Sequence, residues 1–469
     1  VSNEDVVELE VTSLAAGGDG VARWNQLAVF VPRTATGDVV RARVRAKATF
    51  ARGAVEAVLR ASPDRVEAPC VHFVRDQCGG CQWQHLSMHA QRDAKTQLVV
   101  DAFARIARTP IARPEISGDE HTLAYRRTLS FTVRGNSGKR HGGFHAAASP
   151  DVIVPIARCL IAHADIQSTW DVLRRHLALL PRVRAHVVRS ENDAKRNVRR
   201  RRDGREVHDD LRVSLRRLGD EAIALVVEGG TMWRDETITT LAAQLPMCRG
   251  IWWKPESREP RLVWEPVQGT NDTARDAVAA AALDVAASFV QVNEGVAALM
   301  HTYVNNLVQR ESPTHVIDAY AGTGRLAIAL TNAAGALEPS ASAPGATIRV
   351  TAIERDVRAS AYAASQLTEP SRAVQGAVEE QLAHALPADV VVLNPPRGGV
   401  DRAVTDLLSA AVAQPHRPRL LVYVSCDPAT LARDVARLTG WRVEHVHCFD
   451  MFPQTAHVET VCVLRPEAL

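Results

Sequence analysis

The chain predicts an α/β protein in three parts: a doubly wound, mostly parallel sheet over residues 271–469, a small β-barrel over 1–60, and a central α+β segment over 61–270. Three observations carry this. From Thr314 onward, short apolar runs alternate with helical patterns, the order of a parallel sheet wrapped by helices. Before residue 60, apolar and polar residues alternate in short runs broken by glycine turns. At 469 residues the chain is too long for one ordinary core, so two or three domains are expected.

The barrel is read from Val7-Glu8-Leu9-Glu10-Val11, Leu27-Ala28-Val29-Phe30-Val31 and Val39-Val40-Arg41-Ala42-Arg43-Val44, separated by Gly17-Gly18-Asp19-Gly20 and Gly37-Asp38. Five short strands are expected, with Arg33, Arg41, Arg43, Arg45 and Lys47 supplying a basic face. Small barrels often bind nucleic acid through such faces, although a charged face also serves solubility alone.

No apolar run reaches the length of a membrane span and no basic-then-apolar leader is seen, so a cytoplasmic protein with no membrane association is expected. In that reducing setting the eight cysteines do not suggest a disulfide framework. Cys70, Cys78 and Cys81 form Cys-x7-Cys-Gly-Gly-Cys, and Cys159, in Pro155-Ile156-Ala157-Arg158-Cys159, is the candidate fourth ligand. Gly79 and Gly80 let the chain wrap closely, and a ligand pattern of four thiolates suits zinc or an iron–sulfur cluster. Cys248, Cys448 and Cys462 sit in apolar surroundings and are expected in the core.

Further along, helical spacing runs from Ser87 to Ile106, and strands are expected at Tyr125–Val133, Leu211–Leu215, Ile223–Glu228 and Gly250–Lys254. Net charge is only +3, yet basic residues crowd between Arg182 and Arg217, including Arg199-Arg200-Arg201-Arg202. This run reads as an insertion, either solvated or touching phosphates; Asp193, Asp203, Asp209 and Asp210 dilute it. Helices follow at Asp272–Ala287 and Val292–Gln309.

The last segment is expected to run strand His315–Ala319, helix Arg325–Ala333, strand Arg349–Glu354, helix Asp356–Leu367, strand Val390–Leu393, helix Val404–Val412, strand Arg419–Val424 and helix Thr430–Leu438, with Leu337–Gly345 as a loop. In Asp318-Ala319-Tyr320-Ala321-Gly322-Thr323-Gly324, the glycines let backbone pass close to a ligand at the start of a helix. That loop alone leaves nicotinamide and flavin nucleotides open. The third glycine of the dinucleotide fingerprint is missing, however, and Glu354 ends the next strand, where a carboxylate can bond both ribose hydroxyls. The prolines of Asn394-Pro395-Pro396-Arg397 lack backbone donors and turn Asn394 into the crevice at a strand end. Cys426, in Val424-Ser425-Cys426-Asp427-Pro428, stands at a strand end before a helix, where a thiol can act as a nucleophile.

These motifs, in this order, resemble the RNA uracil-5-methyltransferase family. The likeness takes in the N-terminal strands, Cys-Gly-Gly-Cys, Phe289-Val290-Gln291-Val292-Asn293, the glycine loop, Asn-Pro-Pro-Arg, Ser-Cys-Asp-Pro and Asp450-Met451-Phe452-Pro453 leading to His457-Val458-Glu459-Thr460. The resemblance implies a Rossmann-like methyltransferase domain, an N-terminal TRAM domain of OB-like form, and a [4Fe–4S] cluster rather than zinc on Cys70, Cys78, Cys81 and Cys159. It also implies S-adenosylmethionine held by Gln291, Tyr320, Glu354 and Asn394 beside Gly322 and Gly324, with Cys426 as nucleophile and Glu459 as general base. Its RNA target is expected to be 23S rRNA rather than tRNA, with no obligate protein partner, and Arg126, Arg127 and the barrel are candidates for gripping the RNA backbone.

The chemistry gives an independent reason for the cysteine. Carbon 5 of uracil is too weak a nucleophile to attack a methyl sulfonium, whereas thiolate addition at carbon 6 turns the ring into an enolate with electron density on carbon 5. A base must then remove the carbon 5 proton so that the cysteine can leave. Asn394 stands where most relatives carry Asp, so methylation of an exocyclic amine remains an alternative, though Arg397 replaces the aromatic residue such enzymes place after the prolines. Thr323 and Arg325 replace the common Met and Asn of the loop. An RNA-binding protein without catalysis is the other alternative; keeping both Cys426 and Glu459 argues against it.

Overall fold

The structure, a computed structural model, describes residues 4–135, 138–187, 206–256, 258–266, 286, 291–333 and 348–467. The described residues fall into two compact units, one from Val1–Glu67, His85–Glu120 and Glu294–Leu469, the other from Ala68–Gln84 and His121–Asn293. None of the helices among them is long and apolar enough to cross a membrane.

The first unit opens with a six-stranded sheet in the order Glu4–Glu10, Val39–Ala46, Phe50–Arg60, Leu27–Val31, Gly20–Trp24, Ser13–Leu14. The expected five strands become six because Ser13–Leu14, too short to show an alternating pattern, pairs with Gly20–Val21. Period-two alternation drives Leu9, Val29, Val31, Val40, Ala42 and Val44 into a shared core and leaves Arg41, Arg43 and Arg45 exposed. Of these, Arg43 pairs with Glu56 at 2.7 Å.

The same unit holds an eight-stranded sheet ordered Arg372–Gln375, Arg349–Glu354, His315–Ala319, Val390–Leu393, Leu420–Ser425, Glu459–Pro466, Trp441–Phe449, Glu115–Ser117. The first five strands are parallel, and Glu459–Pro466 runs antiparallel between Leu420–Ser425 and Trp441–Phe449. Buried on both faces, the central strands are continuous apolar runs such as Val390-Val391-Val392-Leu393. Of the expected helices, Arg325–Ala333 stands as predicted, Val357–Gln366 replaces 356–367, Arg402–Ala411 replaces 404–412 and Pro428–Val435 replaces 430–438. The shifts follow the caps: Asp356, Asp401 and Asp427 each accept a backbone N–H from the first turn, and Pro428 occupies a first-turn position that needs no donor.

The helix Met88–Ala102 also belongs to this unit, with Ser87 accepting the Ala90 N–H as its cap and a π-turn, Phe103–Ala107, closing it. Its Val99 and Phe103 join the core formed by Leu421, Tyr423, Leu431 and Val435.

The second unit is a seven-stranded sheet ordered Ile153–Pro155, His141–His145, Thr128–Arg134, Leu211–Gly219, Ala222–Glu228, Cys248–Lys254, Arg261–Trp264. Helices Ala164–Leu173 and Asp235–Gln244 supply Trp170, Leu173, Ile238 and Leu241 to its core. Trp170 stacks on Phe131 at 3.7 Å between ring centroids, and any side chain at Gly142 would strike the Trp170 ring.

The arginine-rich insertion ends earlier than Arg217. Ala185–Val187 pairs with Glu206–His208, and Arg212, Arg216 and Arg217 lie in the strand Leu211–Gly219, because Leu211, Val213 and Leu215 alternate with them and are buried. Arg217 is tied to Asp165 at 2.7 Å. Arg199–Arg202, the 337–345 loop and, apart from Ala286, the helix expected at 272–287 lie outside the described residues.

Candidate active site

The glycine loop leaves the carboxyl end of His315–Ala319, the third strand of the eight-stranded sheet. Tyr320, Gly322 and Gly324 all adopt positive φ, at 63°, 56° and 73°. For tyrosine this is an unusual conformation, held by the Ala321 N–H donating to the Ile353 carbonyl at 3.0 Å. A Cβ at Gly324 would stand 2.8 Å from the Ala363 Cβ, whereas one at Gly322 would meet nothing within 4 Å. The loop therefore packs tightly on one side and opens on the other.

Glu354 ends the neighbouring strand and braces the loop: its Oε2 accepts the Gly322 N–H at 2.8 Å and its Oε1 accepts the Asp356 N–H at 2.7 Å. Each oxygen keeps a second lone pair for a ligand hydroxyl. Beneath them Asp318 is fully buried, its Oδ2 without a hydrogen-bond partner among the described residues. Burial pushes its carboxyl up to about 7, with the nearby Glu354 charge adding and the Ala327 amide opposing. A close-packed Gly324, an open face at Gly322 and an orphaned buried acceptor on Asp318 together fit a nucleoside-bearing ligand such as S-adenosylmethionine.

Asn394, half-buried, follows Val390–Leu393, its N–H donating to Ala319 O at 3.2 Å, which sets it beside the glycine loop. The chain then turns through Pro395–Gly399, and Asp434 ties that turn to the helix Pro428–Val435. Asp434 is wholly buried; its Oδ2 accepts the Val400 N–H at 3.0 Å and the Tyr423 hydroxyl at 2.8 Å, and Arg433 and Arg437 pair with Oδ1 at 2.8 and 3.3 Å. Arg433 also donates to Gly398 O at 2.8 Å.

Cys426 sits in the one-residue step between Leu420–Ser425 and Asp427, the cap of that helix. The antiparallel pairing Ser425↔Thr460 brings Glu459, the first residue of the last strand, alongside it. Burial raises the Cys426 thiol above its ordinary range; the Glu459 and Asp427 charges add to this and Arg397 opposes it. Glu459, only 3% exposed, is pushed up to about 8 by burial, with Arg397 again opposing. One exposed guanidinium thus acts on both groups.

Sequence reasoning paired Cys426 with Glu459 and found Tyr320, Gly322, Gly324, Glu354 and Asn394, which gather at the carboxyl ends of adjacent strands. It missed Asp318 as a perturbed acid, although its place before the loop was visible, and it missed Asp434 and Tyr423, whose partnership depends on the fold. Gln291 lies half-buried in the other compact unit, next to Val292, whose carbonyl accepts the Arg127 N–H at 2.9 Å, and close to the Arg126↔Asn293 bridge.

In that second unit the thiol motif wraps against the strand His141–His145. Cys70 caps the short helix Val71–Val74, the Cys78 N–H donates to His72 O at 3.0 Å and the Gly79 N–H to His145 O at 2.9 Å. Any side chain on Gly79 would collide with that strand. Burial pushes Cys81 up to about 12 and Cys159 to about 11; Cys81 feels Cys159 and Cys78, Cys159 feels Cys78, and Arg126 opposes both shifts. The donor chemistry suits a thiolate-bound metal, but among the described residues no three His, Cys, Asp or Glu side chains stand together so as to hold one. None of the four is in a disulfide, nor are the buried Cys248, Cys448 and Cys462.

Residues 280–466 match the family described as tRNA (uracil-5-)-methyltransferase. An RNA methyltransferase of Thermosynechococcus vestitus is 32% identical, with 98% of this chain and 97% of the relative covered, and one of Gloeobacter violaceus is 31% identical over 98% and 96%. Among solved structures, the tRNA (uracil-54, C5)-methyltransferase of Pyrococcus abyssi in complex with S-adenosyl-L-homocysteine shares the fold at a TM-score of 0.62 and 19% identity, covering 98% of this chain and 99% of that one. Relatives this similar over the full length, and a matching family across the glycine loop, Cys426 and Glu459, give one conclusion: the chain belongs to the RNA uracil-5-methyltransferase family of S-adenosylmethionine-dependent enzymes.

Proposed function

We propose that this protein methylates carbon 5 of a uridine in RNA, with Cys426 as nucleophile and Glu459 as general base. The observation that carries the reading is the placement of Glu459 alongside Cys426 by the Ser425↔Thr460 pairing, with Arg397 acting on both. S-adenosylmethionine would be held by Tyr320, Gly322, Gly324, Glu354 and Asn394 and would supply the electrophilic methyl group. Deprotonated Cys426 adds to carbon 6, forming a C–S bond and moving the ring electrons toward carbon 5. The C5–CH3 bond would form as the sulfonium S–CH3 bond breaks, leaving S-adenosylhomocysteine as the thioether; Glu459 then takes the carbon 5 proton, the C6–S bond breaks, and the Cys426 thiolate leaves, giving 5-methyluridine.

An acid poised near pH 8 suits this role, since a base with a pKa near the working pH combines availability with proton affinity. Such an arrangement favours carbon 5 chemistry over the exocyclic-amine route that Asn394-Pro395-Pro396 leaves open. To reach Cys426 the base must leave its stack. The strands of residues 1–60, with Arg41, Arg43 and Arg45 exposed, and Arg126 and Arg127 are read as contacts to the RNA backbone.

The RNA is read as 23S rRNA before tRNA, on the combination of the N-terminal strands with the cysteine motif. Cys70, Cys78, Cys81 and Cys159 are read as ligands of a [4Fe–4S] cluster, with zinc as the lesser alternative; what supports this is the donor set and the mutual electrostatic influence of Cys78, Cys81 and Cys159. No catalytic step runs through it. The protein is read as a cytoplasmic enzyme.

The test is methyl transfer from labelled S-adenosylmethionine to separate pools of unmodified 23S rRNA and tRNA, followed by nucleoside analysis. Label in 5-methyluridine from 23S rRNA is expected, and Cys426→Ala should lose it. Label in 5-methyluridine from tRNA alone would reassign the substrate; label in a methylated amine base, or none in either pool, would overturn the reading.

A further inference from the structure

A helix remote in sequence from Cys426 and Glu459 grips the loop between the last two strands, and the proposed mechanism has given it no task. That loop begins at Asp450, immediately after Phe449, and Phe449 is the residue paired across the strands with Glu459. Lys95 Nζ bonds Asp450 Oδ1 at 2.5 Å and donates to Phe452 O at 3.0 Å. Arg92 Nε bonds Asp450 Oδ2 at 3.1 Å while its Nη2 donates to Asp119 O at 2.9 Å. One turn back, Gln91 exchanges two hydrogen bonds with Gln454: its Nε2 donates to Gln454 Oε1 at 3.1 Å, and its Oε1 accepts the Gln454 N–H at 2.9 Å. Further along, Val99 and Phe103 share the core with Leu431 and Val435 of the helix that follows Cys426.

Both Lys95 and Asp450 are wholly buried. Burying an ion pair is a poor route to stability, because desolvation offsets the attraction and a packed apolar pair of the same volume serves as well. What such a pair does supply is one defined geometry, here at a loop whose far end carries the proposed base.

We propose that the helix Met88–Ala102, through Gln91, Arg92 and Lys95, is a positioning brace that fixes Glu459 against Cys426. The inference rests on the reading of Cys426 and Glu459 as the reacting pair. Asp450 is the anchor point: released, the loop 450–458 is free to withdraw the first residue of the last strand. Gln91, Arg92 and Lys95 touch no reacting atom and act through Glu459.

The brace is tested without RNA by peptide-resolved iodoacetamide alkylation of Cys426 against pH on the full chain. The charged groups facing the thiol are Glu459, Arg397 and Asp427. Glu459→Gln removes one negative neighbour and should move the alkylation midpoint to lower pH. Arg92→Gln and Asp450→Asn should move it in the same direction by part of that shift, and Arg92→Lys should return it to the wild-type position. Lys95→Met belongs to the same series; should it and Asp450→Asn, both at wholly buried positions, fail to fold, Arg92→Gln, with a partly exposed side chain, carries the test alone. A wild-type profile in Arg92→Gln and Asp450→Asn, with Glu459→Gln shifted, would overturn the brace and leave the pairing of Glu459 with Cys426 standing. An unshifted Glu459→Gln would remove that pairing, and the brace with it. The role of Glu459 as base is read separately: with RNA, Glu459→Gln should accumulate a covalent adduct, and its failure to do so leaves the alkylation result untouched.

Discussion

Glu459 is a carboxyl group whose burial costs the protein stability and serves the reaction. In the unfolded chain it ionises near its ordinary value of 4.5, in the folded protein near 8. The unfolded state therefore sheds its proton first, and stability from this group falls as pH rises from about 4.5 to about 8. Glu459→Gln removes that slope, so the gain in melting temperature of the variant over wild type should be larger at pH 8 than at pH 5. Catalysis runs the other way, because only the carboxylate accepts the carbon 5 proton. Resolution of the adduct should accelerate with pH to a midpoint near 8. Arg397 holds both Glu459 and Cys426 down, so Arg397→Ala should move that midpoint upward and Arg397→Lys should largely restore it. A pH–rate profile unchanged by Arg397→Ala would separate this residue from the site.

At the scale of elements, the site is made by strand ends and the turns that leave them. The glycine loop could be read from sequence because positive φ and close packing demand particular residues: Gly324→Ala places a methyl group against Ala363 at positive φ and should cost about 1–3 kcal/mol of stability and weaken S-adenosylmethionine binding, measured by calorimetry. An unaltered melting temperature would show that the loop yields. The Asp434 junction was not legible. Nothing in the sequence marks Tyr423, in an apolar strand, as the partner of an aspartate on the next helix; Tyr423→Phe should cost about 1.5–3 kcal/mol, the worth of a hydrogen bond to a charged group. The strands Trp441–Phe449 and Glu459–Pro466 also escaped detection, because an antiparallel pair lying between the parallel strand Leu420–Ser425 and the edge strand Glu115–Ser117 breaks the strand–helix alternation that revealed the rest.

For the whole molecule, sequence order misleads most where distant segments pack together. The helix Met88–Ala102 lies near the cysteine motif in sequence, yet it shares a compact unit with the eight-stranded sheet, and the contacts of Lys95 and Arg92 with Asp450 span more than three hundred positions. Periodicity reports a helix and its buried face but not its partner. The thiols are the opposite case: the spacing around Gly79 and Gly80 was legible at once, whereas among the described residues the fold does not bring three of these thiols together so as to hold a metal. Anaerobic reconstitution with iron and sulfide should produce a broad absorbance near about 400 nm that is lost in Cys81→Ser; stoichiometric zinc without that band would assign the site to zinc. The central claim, that Cys426 and Glu459 act as a pair on a uridine, is tested most directly by incubating Glu459→Gln with S-adenosylmethionine and unmodified 23S rRNA, digesting protein and RNA, and weighing the Cys426 peptide. The account predicts a peptide carrying a methylated uridine nucleotide, absent from wild type. Free 5-methyluridine at the wild-type rate, with the Cys426 peptide unmodified, would contradict it.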